Sequence, residues 1–186
     1  MLLDYFGIVI MALLGGARLH QTLSGEWWAL PLFAHAMISA LMLVLHRKTG
    51  RHAPLLQRLG AWFSALLPFA VQIEKPVPMA LRVLSLAGVA LAVWTIAVLG
   101  KSFDVSPADR GLVVVGPYKW LRHPMYASEL FSVLVIVCVD LSVRNILVTL
   151  MLVATLVLRI RWEEKLILGY QDYGNQVRNR LLPGVW

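Results

Sequence analysis

The stretch Gly116–Tyr126, GPYKWLRHPMY, joins polar and aromatic residues to the long apolar run Leu130–Val139. Gly116-Pro117 predicts a turn, and Pro124 is suited to the first turn of a helix. The sequence therefore predicts a helix that begins here and passes into a membrane. The polar residues of this stretch would then lie where water meets lipid, which is where we expect a site.

The composition is that of a membrane protein. Hydrophobic residues make up 59% of the 186 residues, whereas a soluble globular chain is nearer half apolar. Several apolar segments approach the roughly 20 residues that cross a bilayer, and the first lacks the basic start of a cleaved signal. We expect an all-α polytopic membrane protein with about six transmembrane helices. The segments are 2–19, 27–45, 60–73, 79–99, 126–139 and 146–160.

Three of these segments need comment. The last two are separated only by Asp140–Asn145, which predicts a hairpin of antiparallel helices. The third is short, and we expect Leu55–Leu59 to lengthen it at its start and Pro68 to kink it. We divide the chain into N-terminal transmembrane helices (1–99) and a C-terminal core (100–186) that contains a loop, the hairpin and a tail.

The charge pattern predicts the orientation in the membrane. A net charge of +7 would suit nucleic-acid binding, but the basic residues lie between the apolar segments and in the tail. This is the pattern of the positive-inside rule, so we expect no nucleic-acid partner and a multi-pass protein whose termini and polar segments face the cytoplasm. Scattered His residues and the lone Cys138 offer no metal-ligand spacing, so we expect no metal.

Two segments on the cytoplasmic side, 100–124 and 161–186, are longer than simple connections. Both contain residues that pack, including Phe103 and Tyr170, so neither has a disordered composition. We expect the two segments to fold together as a lid over the cytoplasmic ends of the last two helices.

Two features of these segments predict a binding site. The helix that begins at Pro124 would offer unpaired backbone N–H groups, with Arg122 and His123 directly in front of them, and such a place suits an anionic ligand. Glu163 and Glu164 lie on the extension of the last helix, where adjacent side chains point about 100° apart. At most one of these two carboxylates can therefore face the same pocket squarely.

The sequence resembles the isoprenylcysteine carboxyl methyltransferase family, and more loosely the phospholipid N-methyltransferases of the same membrane superfamily. Three motifs occur in order around the helix hairpin: RHPxY at 122–126, the EE pair at 163–164, and Tyr170 and Tyr173 followed by RLLP at 180–183. The resemblance covers roughly residues 103–183. Before that segment only the hydropathy matches.

The resemblance implies S-adenosylmethionine as cofactor, bound on the cytoplasmic side between the loop and the tail. It implies a lipophilic acceptor that arrives from the bilayer, among membrane lipids, with carboxyl O-methylation of a prenylcysteine-like molecule as the first expectation. Arg122 and Glu164 are implied to be catalytic. The residues implied to bind the cofactor are Gly116, Pro117, Tyr118, His123, Pro124, Tyr126, Glu163, Tyr170, Arg180, Leu182 and Pro183.

Other functions fit the same residues. N-methylation of a phospholipid head group, or S-methylation of a small thiol, would use the same cofactor. An NADPH-dependent membrane reductase of sterol-like substrates has a similar arrangement of C-terminal helices and tail. A non-catalytic membrane protein, whose polar cluster only anchors it at the interface, is the remaining alternative.

Overall fold

The computed structural model describes residues 2–49, 51–184 and 186. Short 3₁₀ helices occur at 27–29, 67–70, 100–102 and 116–119. Within the described residues no β-strand is formed, so the all-α prediction is confirmed. The α-helices in chain order are α1 (Leu2–Leu23), α2 (Leu30–Leu45), α3 (Leu55–Leu66), α4 (Met79–Leu99), α5 (Pro124–Val137), α6 (Val143–Leu166) and α7 (Tyr170–Gln176).

The bundle has two ends, which we name from the segments they carry. The loop end carries residues 46–49, 51–54, 100–123, 177–184 and 186. Here Ala53 N–H donates to the Pro107 carbonyl at 3.0 Å, and Arg122 N–H donates to the Asn179 carbonyl at 2.9 Å. The turn end carries residues 71–78 and 138–142, and Gln72 N–H there donates to Asn145 Oδ1 at 3.1 Å.

Four stretches are helical, long and apolar enough to cross a membrane: 4–23, 27–45, 79–102 and 143–166. Helix α5, with 14 residues, is apolar but shorter. Because the connecting segments alternate between the loop end and the turn end, the described chain passes six times along the bundle. These passes correspond to the six predicted segments.

The third pass is irregular. Helix α3 has only 12 residues, and it gives way at Leu66 to the 3₁₀ helix 67–70, in which Pro68 is the second residue. Proline lacks the N–H that would continue an α-helix. The α-helix therefore ends before Pro68, where a kink within a longer helix was expected. The pass is held to α6 by a hydrogen bond from Thr155 Oγ1 to Ser64 Oγ at 2.9 Å.

Small polar residues join the helices, as is usual inside membranes. The hydroxyls of Ser85 in α4 and Ser132 in α5 each donate to the other residue's carbonyl at 3.1 Å. Gly88 lies between them, where a Cβ would collide with Ser132. Large apolar side chains such as Leu13 and Leu150 lie exposed on the outside of the bundle, where lipid would cover them.

The predicted hairpin between α5 and α6 is present. Its turn is fixed by Ser142, whose side chain accepts the Asn145 N–H at the start of α6 at 3.3 Å. Asn145 is fully buried and donates to the Asp140 carbonyl at 2.9 Å. Cys138, an exposed thiol, follows α5 directly at the turn end.

Candidate active site

The tail (residues 167–186) is hydrogen-bonded to the segment that precedes α5. The N–H groups of Arg122 and His123 donate to the carbonyls of Asn179 and Arg180, at 2.9 and 3.0 Å. His123 then caps α5, which begins at Pro124. The two long segments that were predicted to fold together therefore do so, at the loop end of the last two helices.

A left-handed glycine turns the chain from α6 into α7. Gly169 has a φ of +76°, which a side chain would disfavour, and it brings Tyr170 and Tyr173 back over the loop. The Tyr170 hydroxyl lies 2.8 Å from His123 Nε2, and the Tyr173 hydroxyl donates to the Tyr118 carbonyl at 2.6 Å. Burial raises the pKa of Tyr173 to about 12, so its hydroxyl stays a neutral donor near pH 7.

Glu164 is the centre of five charged or titratable residues that we call the ionic cluster: Arg122, His123, Glu163, Glu164 and Arg180. Arg180 donates from Nε and Nη2 to the two oxygens of Glu164, both at 2.9 Å. Arg122 Nη1 lies 3.3 Å and His123 Nε2 lies 3.4 Å from Glu164 Oε1. The hydrogen bond to Glu164 raises the pKa of Arg180, so that guanidinium remains charged.

Arg122 uses its remaining donors on the end of α7. Its Nε donates to the Val177 carbonyl at 2.5 Å and its Nη2 donates to the Gly174 carbonyl at 2.7 Å. These carbonyls lack partners within so short a helix, and a cation satisfies them well. A Cβ on Gly174 would lie 3.2 Å from Arg122 Cζ, so glycine permits this close approach. Arg122 thus fastens α7 to Glu164.

Glu163 faces a different direction from Glu164. It accepts a hydrogen bond from the Tyr126 hydroxyl, and its Oε2 lies 3.7 Å from His123 Nδ1. Glu163 lines a cavity of about 80 Å³, which we call the small cavity, and Glu164 does not. The two adjacent carboxylates therefore lie in different environments, as the helical spacing predicts.

The small cavity has side chains suited to a polar aromatic ligand. A site for a drug-sized ligand usually encloses about 300–1,000 Å³, so a nucleoside-sized ligand would fit only if the tail or the loop 104–113 moved outward. Tyr173 and residues of that loop complete the wall. The predicted site residues that line the cavity are Tyr118, Arg122, His123, Tyr126, Glu163 and Tyr170.

Seven of the predicted site residues do not line the small cavity. Glu164 and Arg180 lie behind it in the ionic cluster. Leu182 is 57% exposed, whereas its neighbour Leu181 is buried against the hydrophobic core. The residues outside the lining are Gly116, Pro117, Pro124, Glu164, Arg180, Leu182 and Pro183.

A second cavity of about 520 Å³, which we call the chamber, lies inside the bundle. Most of its wall is apolar and comes from α1 to α6 and from the segments that follow α3 and α4. Glu129 of α5 and Arg159 of α6 also line it. Because Asp104 and Met125 line both cavities, the chamber and the small cavity are neighbours.

Sequence reasoning did not select Glu129 or Arg159 as site residues. The Arg159 guanidinium lies 4.6 Å from the centre of the Tyr126 ring, and its Nη2 donates to the Val105 carbonyl at 3.0 Å. Glu129 is the only charged residue of α5, and Arg159 directly follows the uncharged stretch 146–158 of α6. That placement is the signal that could have found them, since a charge inside a membrane segment is costly and is usually functional.

Comparison with known proteins assigns the central part of the chain. Residues 80–168 match the model of the isoprenylcysteine carboxyl methyltransferase (ICMT) family. The match includes α4, RHPxY and the Glu163–Glu164 pair, and it ends before α7. No curated protein matches the chain. Over residues 80–168, a little under half of the chain, the sequence therefore matches the isoprenylcysteine carboxyl methyltransferase family, and this match together with the apolar helices supports a membrane methyltransferase.

Proposed function

We propose that the protein transfers a methyl group from S-adenosylmethionine to the carboxylate of a lipophilic, prenylcysteine-like acceptor. The observation that carries this proposal is the position of the small cavity, between the ionic cluster at the loop end and the chamber inside the bundle. A water-soluble cofactor would reach the small cavity from the loop end, and an apolar acceptor would reach it from the chamber. The basic loops favour a cytoplasmic loop end.

The residues of the small cavity suit this cofactor in their chemistry. When bound, S-adenosylmethionine supplies an electrophilic methyl group on a sulfonium sulfur. Glu163 would accept hydrogen bonds from its hydroxyl or ammonium groups, and the parallel rings of His123 and Tyr126, with centres 5.6 Å apart, offer polar aromatic contacts. Tyr118 and Tyr170 would close the walls.

The implied residues outside the cavity lining would act indirectly. Gly116, Pro117 and Pro124 shape the backbone on either side of Arg122 and His123. Leu182 and Pro183 would contact the cofactor only after a movement of the tail, because both are exposed. Arg180 holds Glu164 in place.

Arg122 and Glu164 would support turnover by positioning. Together they hold α7, and with it Tyr170, against His123. Methyl transfer depends on alignment of the reacting atoms at about 3–3.5 Å, so loosening this contact would slow the reaction. A carboxylate acceptor is already ionised near pH 7 and needs no general base.

The first test is ligand binding by the purified full chain in detergent. We expect S-adenosylhomocysteine to raise the thermal stability, because a ligand of the native state alone adds about 2.7 kcal/mol at 100 times its Kd. NADPH and adenosine triphosphate are titrated in parallel. Stabilisation by NADPH alone would favour a reductase, and stabilisation by none of the three would contradict the proposal.

The second measurement identifies the acceptor atom. Labelled S-adenosylmethionine is incubated with the protein and with lipophilic carboxylates, phospholipids or small thiols in separate reactions. A base-labile methyl ester is the expected product. A stable N-methyl or S-methyl product would retain methyl transfer but reject the carboxylate acceptor.

A further inference from the structure

Two arginines lie on the wall of the chamber near the turn end, away from the small cavity. Arg82 is in the first turn of α4, which begins at the turn end, and Arg18 is in the last two turns of α1, which finishes there. Both line the chamber, and both belong to stretches that are apolar enough to cross a membrane. A charge in such a stretch is costly and is usually functional, so the two arginines require a reason.

Arg82 has unused hydrogen-bond donors. Its guanidinium lies over the Trp28 ring, with Cζ 5.2 Å from the ring centre. That contact uses the flat face of the guanidinium and leaves the N–H groups at its edge available. In the part of the chain that the structure describes, none of these groups has an acceptor. Asp140, a buried acid at the turn end, is already held by Lys75 Nζ at 3.6 Å and by the Glu74 N–H at 3.2 Å.

Arg18 is directed toward the same end of the bundle. Its Nη1 donates to Gln21 Oε1 at 2.8 Å, and Gln21 is almost one helical turn nearer the end of α1. The other guanidinium nitrogens of Arg18 make no hydrogen bond within the described residues. The positive-inside rule does not explain these arginines, because the basic residues of the connecting segments are concentrated at the loop end.

The surroundings of the two arginines suit an anion that is attached to an apolar body. The neighbouring wall is apolar and includes Leu32, Val77 and Leu86. A guanidinium matches the geometry of phosphate, to which it can donate two parallel hydrogen bonds. Arg82 lies three residues inside α4, about 4.5 Å from its start at 1.5 Å per residue. This is a depth at which an arginine side chain can reach the head groups of a leaflet.

We propose that the turn end of the chamber binds an anionic phospholipid, whose phosphate accepts hydrogen bonds from Arg82 and Arg18 and whose acyl chain lies on the apolar wall beside them. A head group with a net negative charge is preferred, because the ammonium of a zwitterionic lipid would face two guanidinium groups. This lipid is not the methyl acceptor. The wall of the chamber on α4 runs from Arg82 to Ile96, about 21 Å at 1.5 Å per residue, so the phosphate lies far from the small cavity. The inference goes beyond the proposed function and does not rest on it.

The test measures bound lipid directly. The purified full chain in detergent is titrated with phosphatidylglycerol and, separately, with phosphatidylcholine that has the same acyl chains. Native mass spectrometry gives the fraction of protein that carries each lipid. We expect one phosphatidylglycerol to bind first, about tenfold more tightly than phosphatidylcholine, since each nearby arginine adds to the attraction of an anionic lipid. Equal affinities for the two lipids would overturn the proposal.

Arg82→Gln and Arg18→Gln test the site itself. Each removes one guanidinium and should weaken phosphatidylglycerol binding by about tenfold, as the loss of hydrogen bonds to a charged group does. Arg178→Gln removes the same charge from an exposed residue of the loop end and should keep the wild-type affinity. Because Arg82 also stacks on Trp28, size-exclusion chromatography first checks that each variant is folded, and Arg18→Gln decides if Arg82→Gln is not.

Two results with these variants would contradict the inference. Wild-type affinity in the folded chamber variants would overturn it. An equal loss of affinity in Arg178→Gln would also overturn it, because the lipid would then respond only to the total charge of the protein.

Two further titrations identify the source of the phosphate and separate this outcome from that of the proposed function. A large excess of inorganic phosphate should not displace phosphatidylglycerol, and displacement would show a site for free phosphate and overturn the lipid assignment. S-Adenosylhomocysteine should bind Arg82→Gln as it binds the unaltered protein, because Arg82 does not line the small cavity. If S-adenosylhomocysteine binds neither protein, the proposed function fails and the lipid result stands.

Discussion

The ionic cluster and the chamber both contain glutamate and arginine, but only in the ionic cluster are these residues hydrogen-bonded to each other. In the cluster, Glu164 is held by two hydrogen bonds from Arg180 and by Arg122 at 3.3 Å. In the chamber, Glu129 and Arg159 line one wall without forming an ion pair. Glu129 and Arg159 are 30 positions apart in the sequence. This lies between the separations of the paired residues, 16 for Glu164 and Arg180 and 42 for Arg122 and Glu164, so the difference does not come from distance along the chain.

The contrast separates charges that build the fold from charges that are available to a ligand. Removing one partner from a buried, fully paired cluster leaves the others unsatisfied and is strongly destabilising. Removing a carboxylate that makes no hydrogen bond costs the fold little, because no partner is orphaned. Removal of one carboxylate should therefore lower the free energy of unfolding strongly in the ionic cluster and only slightly in the chamber.

The largest effect is expected for Glu164→Ala. Arg122 and Arg180 would lose their shared carboxylate, and both side chains are at least half-buried. We expect a loss of about 3 kcal/mol in the free energy of unfolding and a fall of about 100-fold in turnover. Thermal unfolding in detergent and labelled-methyl transfer measure the two.

Glu26→Ala, at an exposed residue, is the control for this change and should leave stability and turnover close to those of the unaltered protein. Wild-type stability in Glu164→Ala would show that the ionic cluster does not hold the tail. The claim that the paired charges of the cluster stabilise the fold would then be wrong.

A smaller effect is expected for Gly174→Ala. Alanine is the better helix former by about 1 kcal/mol, but its Cβ would press on the Arg122 guanidinium, whose Cζ lies 3.2 Å from the position of that Cβ. Displacement of Arg122 should weaken S-adenosylhomocysteine binding by about tenfold while the global stability changes little. Calorimetric titration measures this affinity.

Gly16→Ala serves as the matched control, since a Cβ there meets nothing within 4 Å. It should gain stability, by up to about 1 kcal/mol, without any change in affinity. Equal affinities in the two variants would mean that the position of Arg122 is unimportant for the small cavity.

The smallest effect on stability is expected for Glu129→Gln. No hydrogen bond is lost, and relief of the buried charge offsets the lost attraction to Arg159, so the free energy of unfolding should change by less than about 1 kcal/mol. Thermal unfolding without added ligand measures it. A loss as large as that of Glu164→Ala would show that Glu129 supports the fold and is not reserved for a ligand.

Much of the fold could be predicted from hydropathy, because lipid imposes long apolar segments on the sequence. The segments 27–45 and 79–99 match observed helices closely. The third was predicted less well, since Pro68 ends regular helix there and the chain finishes the pass as a 3₁₀ helix and extended chain. The start of α5 at Pro124 could be predicted, because proline lacks an N–H and is therefore tolerated in the first turn of a helix.

The candidate site could be predicted in part. The motifs indicated His123, Glu163 and Glu164, and each of the two carboxylates lies within 3.7 Å of a ring nitrogen of His123. The role of these residues in cofactor binding stays a prediction. Which carboxylate faces the small cavity could not be predicted, because it depends on whether Tyr126 or Arg180 reaches it. The chamber depends on how six helices pack, which no local sequence pattern records.

The position of Cys138 has a practical consequence. It is the chain's sole cysteine, it is exposed, and it lies at the turn end, across the bundle from His123. A thiol reagent that cannot cross lipid would therefore report which leaflet the turn end meets, in sealed cells and with no engineered residue. Labelling of the native cysteine would therefore reveal the orientation of the protein in the membrane.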